Sequence, residues 1–428
     1  MTEQDATPTV PRILGLALRI GEQLLASGSG VGRAVSATST VVRAYGLRGC
    51  ATDASYMSLT VSYRPDPDSM PMTEMRVVGA VSQNFHRIRQ LDDLVVRIRR
   101  RGLTVADAES GLRRITAAAD PYSRWATTLA GGGLGGLFTV MLGGGFVVFA
   151  VTFVVSILID LAGRWVRRAG IPVFYRAVIG GTLATAAGVG CATAGWTDQA
   201  ALIIAGGIAA LLPGLSFVGG VQDAINGYLI TAAARIVDAV MITVGLVAGV
   251  GAALTVLVRV GAHIPALLAT GPGLRDWSAL PVQVGAAAVV CATFALLCQA
   301  SPLNMLTAAA VGAAGWAGYL MLSTKAGFSP TAATAMAAMV IGFSSQWLAR
   351  WTAAPALLHL VVGIIPLAPG YAIYSAMFFL SRDELGPGMA RLAEAIGIGL
   401  AVAAGSGFGQ TVAGARGRLV RARHPSAG

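Results

Sequence analysis

Beyond Trp125 the chain is a succession of apolar runs, roughly at residues 127–142, 145–163, 172–195, 200–218, 235–258, 282–300, 303–321, 329–349, 356–379 and 390–413. At 1.5 Å of rise per residue, a helix of about 18 to 25 residues crosses a hydrocarbon core of roughly 30 Å. The first two runs adjoin in one stretch of about 38 residues, near 57 Å as a helix, which is too long for one crossing. Gly143-Gly144-Gly145 predicts a hairpin there. The expectation is a mainly α, polytopic membrane protein with about ten transmembrane helices.

Charge is distributed to match. Charged residues make up 12% of the chain and hydrophobic ones 55%, where soluble domains carry about 25% charged residues. Sixteen of the thirty arginines and twelve of the twenty acids fall before residue 126. A soluble domain, residues 1–124, therefore precedes the membrane part. The net charge of +11 does not point to nucleic acid, because the arginines are scattered at helix ends without interleaved aromatic residues. They read as topology signals. With the N-terminus inside, inner loops hold Arg164, Arg167, Arg168, Arg176, Arg235, Arg350, Arg416, Arg418, Arg421 and Arg423, against Arg259, Arg275, Lys325, Arg382 and Arg391 outside. Ten against five places both termini in the cytoplasm, with a basic tail over 414–428. Arg12 and Arg19 interrupt the first apolar stretch, so no signal peptide is expected.

The soluble part reads as a small α/β domain of order ααββαα. Apolar positions from Ile13 to Leu25 recur at helical spacing, and a second helix runs from about Arg33 to Tyr45. Tyr56 to Tyr63 alternates as a strand, Arg64 to Asp68 is a turn, and Met72 to Val81 is the partner strand. Helices over about 88–101 and 105–119 follow, the last capped by Thr104 with Asp107 three residues on.

The membrane part repeats itself at an offset of 156 residues. Gly207-Ile208-Ala209-Ala210-Leu211-Leu212-Pro213-Gly214 aligns with Gly363-Ile364-Ile365-Pro366-Leu367-Ala368-Pro369-Gly370, and Arg235-x-x-Asp238-Ala239 with Arg391-x-x-Glu394-Ala395. The matched helices are the fourth and ninth runs, five crossings apart, so they traverse the bilayer in opposite directions. This predicts a 5+5 inverted repeat: residues 125–260, an external linker 261–281, and residues 282–413. Inverted repeats with broken helices are a transporter architecture, with the site near the midplane. Pro213-Gly214 and Pro369-Gly370 are the break points, since proline removes a backbone donor and glycine frees the chain.

Charges at membrane depth are functional candidates by default. The expected substrate or ion site comprises Pro213, Gly214, Asp223, Asn226, Gly227, Arg235, Asp238, Pro366, Pro369, Gly370, Tyr371 and Tyr374. Asp223 and Asn226 would share one helical face, and Arg235 could pair with Asp238, as Arg391 could with Glu394. His359 is a further titratable group on the ninth run, and Asp160 beside Arg164 reads as an interface anchor. Cys50, Cys191, Cys291 and Cys298 lack metal-ligand spacing, and no phosphate loop is present, so no metal, cofactor or built-in ATPase is expected. A hydrolase would have to be assembled from Asp53, Ser55, His86 and Asp92, which form no recognisable signature.

The residues Leu18-Arg19-Ile20-Gly21-Glu22-Gln23-Leu24-Leu25-Ala26-Ser27-Gly28, the segment Gly102-Leu103-Thr104-Val105-Ala106-Asp107-Ala108, and Leu212-Pro213-Gly214 followed by Asp223, Gly227 and Arg235 resemble the threonine/serine exporter family. Ile364 to Gly370 resembles the second-half version of its motif. The resemblance implies a ten-span protein of the bacterial inner membrane that exports threonine and serine by proton antiport, not an enzyme. Its partners would be an amino-acid substrate, protons and the bilayer, with a second copy of the chain as a candidate. The alternatives are efflux of another small metabolite, such as a dipeptide or organic acid, or a membrane-anchored hydrolase or sensor.

Overall fold

The computed structural model describes residues 9–423 apart from Tyr56, Ala80, Asn226, 262–279, 353, 354, 382 and 383. The chain divides into two compact units. The first comprises Met1–Pro121 together with Asp223–Ala234 and Cys298–Ala300, and the second holds the remainder.

In the first unit the order is α1 (Val10–Ala26), α2 (Val31–Ala44), β1 (Cys50–Ser55), β2 (Ser58–Tyr63), β3 (Met72–Val77), α3 (Phe85–Arg101) and α4 (Val105–Ala117). The sheet is antiparallel, β1-β2-β3. It has three strands where the sequence predicts two. The missed strand, Cys-Ala-Thr-Asp-Ala-Ser, is an edge strand that buries only Ala54, so it carries no apolar alternation, and Ala and Asp disfavour strands. The part of the predicted strand at Tyr56 lies outside the described residues.

The core of this unit follows from periodicity. Leu14, Ala17, Leu18 and Leu24 of α1 are buried with Leu59 and Val61 of β2, and with Ile88, Leu91 and Leu94 of α3. Thr104 caps α4 as expected: its hydroxyl accepts from the Asp107 N–H at 3.2 Å and donates to the Asp107 carboxylate at 2.7 Å. Two turns that lie far along the chain belong to the same unit. The Phe85 N–H donates to the Cys298 carbonyl at 2.9 Å, and Gly32 faces the Tyr228 ring so closely that a Cβ would sit 3.5 Å from it.

The second unit begins with α5 (Arg124–Met141) and α6 (Phe146–Arg168), joined by the predicted glycine turn, where Gly143 has φ +93°. Then come α7 (Val173–Thr193), α8 (Ala200–Ile208), α9 (Gly214–Ile225) and α10 (Leu229–Arg259). The remaining helices are α11 (Leu280–Leu297), α12 (Pro302–Leu320), α13 (Pro330–Thr352), α14 (Ala356–Gly363), α15 (Gly370–Ser381) and α16 (Leu385–Arg423). Among the described residues seven helices are long and apolar enough to cross a membrane. There are up to nine if the bent pairs α8/α9 and α14/α15 each form one span, with bends of 51° and 45°. The predicted first span forms as α5, but Arg124 and five glycines leave it below the hydropathy of the others. Those glycines are packing positions: at Gly132 and Gly136 a Cβ would lie about 3.0 Å from the Phe153 and Phe149 carbonyls of α6.

The spacing of elements recurs. α11, α12, α14, α15 and α16 start 156 residues after α5, α6, α8, α9 and α10, as Leu280 follows Arg124 and Gly370 follows Gly214; α13 starts one residue later than this register. The pairings recur too: α5 packs on α6 and α8, and α11 on α12 and α14, with α5 against α11 between them. The last long helix meets α13 through Gly342, Gly405 and Gly409, each against a facing backbone carbonyl. With little hydrophobic drive between helices in lipid, such close approach supplies van der Waals contact.

Glu109 of α4 accepts from Arg12 at 2.9 Å and from Arg19 at 3.0 Å, both on α1. The hydrogen bond from Arg12 is the main reason its carboxyl lies below the usual glutamate range. A depressed carboxylate stabilises the fold above its unfolded pKa and loses that contribution as pH falls through the folded value. Amide protection factors of α1 and α4 in the full chain, corrected for the intrinsic exchange rate at each pH, should fall as pH drops through that value. Glu109→Gln should remove this acid-dependent component and cost on the order of 1 kcal/mol at pH 7. Gly409→Val should lower the thermal midpoint of the purified chain by the equivalent of about 1–3 kcal/mol, through overpacking against the Met339 carbonyl.

Candidate functional site

Each bent pair breaks where the sequence places Pro-Gly, and the backbone shows why. Proline disfavours helical conformation in the residue before it. Leu212 and Ala368, which precede Pro213 and Pro369, are extended, with ψ of 130° and 140°. Each follows a single 3-10 turn, Ala209–Leu211 or Ile365–Leu367. The second arms then start at Gly214 and Gly370, with the Pro213 and Pro369 carbonyls accepting from Phe217 and Ile373 at 2.9 Å each.

The second arms are exchanged between the two sets of helices. Val218 of α9 is buried in a cluster that joins both sets, with Phe138 and Leu202 from α5 and α8 and with Ala287, Ile341, Leu360 and Val402 from α11, α13, α14 and α16. Tyr374, 156 residues later on α15, is buried with Ile204, Ala184 and Val250 from α8, α7 and α10. Gln222 of α9 donates to the Ser406 hydroxyl of α16 at 3.2 Å.

This exchange brings both breaks to one place. A cavity of about 120 Å³ is lined by Pro213 and Ser216 from the first break and by Pro369, Gly370 and Ile373 from the second. A larger cavity of about 390 Å³ shares Phe138, Ala368 and Pro369 with it. Its polar lining includes Thr334, Tyr371, Ser375, Arg391 and Glu394, and Trp316 forms part of its apolar wall. Arg391 donates to the Glu394 carboxylate at 2.8 Å. The Trp316 and Tyr319 rings stack at 5.2 Å between centroids, a rigid aromatic face.

Of the residues expected from the sequence, Pro213, Pro366, Pro369, Gly370 and Tyr371 line these two cavities. Gly214 opens α9 at the break. Tyr374 does not line either cavity; it is fully buried between the Tyr371 and Phe378 rings. Asp223, Gly227, Arg235 and Asp238 are not among the lining residues either. Asp223 is buried, and its carbonyl accepts from the Tyr228 N–H at 2.9 Å, while the Gly227 N–H donates to Ala224 at 3.0 Å. With Gly227 at φ +88°, these two bonds are a Schellman stop. Gly227 thus ends α9. Asn226 lies outside the described residues. Arg235 and Asp238 are half-buried on α10, and the Arg235 guanidinium lies against Gly219 of α9.

Sequence reasoning used Arg391 and Glu394 to recognise the repeat but left them out of the site. Ser375, Thr334 and Trp316 carried no local signal, because each is one small polar or aromatic residue on an apolar helix. His359 is buried on α14, its Nε2 2.9 Å from the Thr307 hydroxyl, a packed pairing within the helices. Asp160 and Arg164 bond one another as expected, with Thr128 as a further acceptor for Arg164.

Long apolar helices, two of them proline-broken and exchanged around a partly polar cavity, define a multi-pass membrane transport protein. Residues 15–257 match the family model described as "Putative threonine/serine exporter", and residues 283–412 match a second, "Threonine/Serine exporter, ThrE". A relative from Mycobacterium tuberculosis, "Probable threonine/serine exporter", is 34% identical over 94% of this chain and 76% of its own. The "Threonine/serine exporter" of Corynebacterium glutamicum is 30% identical over 94% of this chain and 83% of its own. The chain belongs to the threonine/serine exporter family, whose members are transporters and not enzymes. No solved structure matches it.

The Tyr374 hydroxyl is buried without a hydrogen-bond partner among the described residues. Removing such a group is close to neutral or stabilising. Tyr374→Phe should therefore keep or slightly raise the thermal midpoint, and Tyr374→Ala should lower it by the equivalent of about 3–5 kcal/mol; a marked loss on Tyr374→Phe would show that the hydroxyl has a bonding role.

Proposed function

We propose that the chain exports threonine and serine across the bacterial inner membrane in exchange for protons, by alternating access around its two Pro-Gly breaks. The observation that carries this reading is that Pro213 and Pro369-Gly370, from opposite ends of the repeat, line one cavity. Because the arm beyond each break packs in the other set's core, a change of bend at either break shifts the two sets against one another. That is the motion alternating access needs.

A 5+5 inverted repeat of ten spans, with the boundaries expected from the sequence, is supported by chain parity. Residues 1–121, 223–234 and 298–300 form one unit, so an even number of crossings separates them. Counting α5, α6, α7 and the α8/α9 pair gives four, and α10 with α11 gives two. Without α5 the first count is odd, which supports α5 as a crossing despite its glycines. An odd offset of five spans then inverts the second repeat. Both termini lie in the cytoplasm by the arginine count.

Asp223 is the proposed proton carrier: it is the one buried acidic residue among the described residues. A carboxylate held out of water changes charge at a cost that a proton removes.

Proteoliposomes loaded with labelled threonine or serine should release them faster under an inward proton gradient; absence of flux under every gradient would sink the substrate claim. Asp223→Asn should abolish the pH dependence of flux, and unchanged pH dependence would remove this residue from coupling. Pro213→Ala combined with Pro369→Ala should reduce flux at least about tenfold in a folded protein if bending at the breaks is part of transport.

A further inference from the structure

Three features of the 390 Å³ cavity are independent of the Pro-Gly breaks. The first is its charge. Arg391 and Glu394 stand one turn apart on α16 with nitrogen and oxygen 2.8 Å apart; both line the cavity and both are partly exposed. A guanidinium beside a carboxylate complements an α-amino acid, whose carboxylate and ammonium are held on one carbon. Such a ligand can enter by exchanging partners with the pair, so neither protein charge is left alone.

The second feature is a pair of orphaned polar atoms. Ser375 Oγ and Trp316 Nε1 belong to buried residues, 2% and 4% exposed, and neither atom has a hydrogen-bond partner among the described residues. Both residues line this cavity. Buried polar groups are normally satisfied, so these two atoms, closed off in this structure, are free to bond a ligand once the serine and indole turn toward it.

The third is an asymmetry between the repeats. The position 156 residues before Ser375 is Gly219, where the Arg235 guanidinium lies close enough that a Cβ would meet Nη1 at 2.6 Å. In the first half an arginine guanidinium lies at that position, and in the second half a serine lines the cavity there.

We propose that this cavity is the recognition site for a hydroxylated amino-acid zwitterion, with Arg391 on the carboxylate, Glu394 on the ammonium and Ser375 on the side-chain hydroxyl. The proposal rests on the exporter reading and goes beyond it by naming the contacts. Its volume lies within the range of small-ligand sites, and the Trp316 N–H adds a second donor for the carboxylate. Selectivity follows. A site that bonds a substrate hydroxyl rejects the analogue lacking it, because the site's buried hydroxyl is then unpaired. Valine, which has the shape of threonine without the hydroxyl, is excluded on this ground.

The test is equilibrium binding to the purified full chain in lipid nanodiscs, with counterflow measured in parallel. The probes are threonine, valine, threoninamide, which lacks the carboxylate, and N-acetylthreonine, which lacks the ammonium. The unaltered chain should bind threonine at least about tenfold more tightly than each analogue. Arg391→Gln should erase the preference over threoninamide only, Glu394→Gln the preference over N-acetylthreonine only, and Ser375→Ala the preference over valine only. A purely structural ion pair would weaken all four ligands alike, and that result, or threonine affinity within twofold in all three variants, overturns the proposal. Thermal melting reports folding separately. Where Arg391→Gln does not fold, Arg391→Lys takes its place, with threonine weakened and threoninamide unchanged. If the unaltered chain binds and moves threonine while the variants fail these patterns, only the site is wrong; if it neither binds nor moves threonine or serine, the exporter reading falls as well.

Discussion

In hydrocarbon every backbone N–H and C=O must find its partner inside the protein, and this constraint shapes the rest of the molecule. It makes the spans helical and makes any interruption costly unless it is enclosed. The two interruptions, at Pro213 and Pro369, are both enclosed: each proline is buried, and each is followed at once by a helix that restores the bonding pattern. A break so protected becomes a place where the chain can bend and where polar groups can stand without lipid around them.

Enclosure comes from the exchange of helical arms. Because α9 and α15 each reach into the core of the other set as well as packing on their own, both breaks are covered, and the two cavities share a wall of Phe138, Ala368 and Pro369. Small residues allow the approach. Glycines on α5, α13 and α16 place helices so close that a methyl group would meet the neighbouring backbone. The glycine content of α5 is therefore a packing device, which also explains its modest hydropathy.

The two halves differ at positions 156 residues apart. Leu215, Val218 and Gly219 in the first correspond to Tyr371, Tyr374 and Ser375 in the second. Asp223 corresponds to Phe379. Hydroxyls and a partly exposed ion pair lie in the second half, and the buried carboxylate of Asp223 lies in the first.

Much of this was legible in the sequence. Length and apolarity determined most of the spans, seven to nine among the described residues, and proline stereochemistry determined where helices break, because each depends on local covalent geometry or on transfer from water. The weak strand Cys50–Ser55 was illegible, since an edge strand with one buried alanine leaves no periodic trace. The site was legible only in part. Tyr371 and Tyr374 look equivalent on paper, yet one lines a cavity and the other fills a core, and Gly227 is a helix stop where it had read as a site residue. Only the tertiary structure decided that Arg391, Glu394, Ser375 and Trp316 line one cavity, because they come from three helices whose meeting depends on how those helices pack and not on any spacing along the chain.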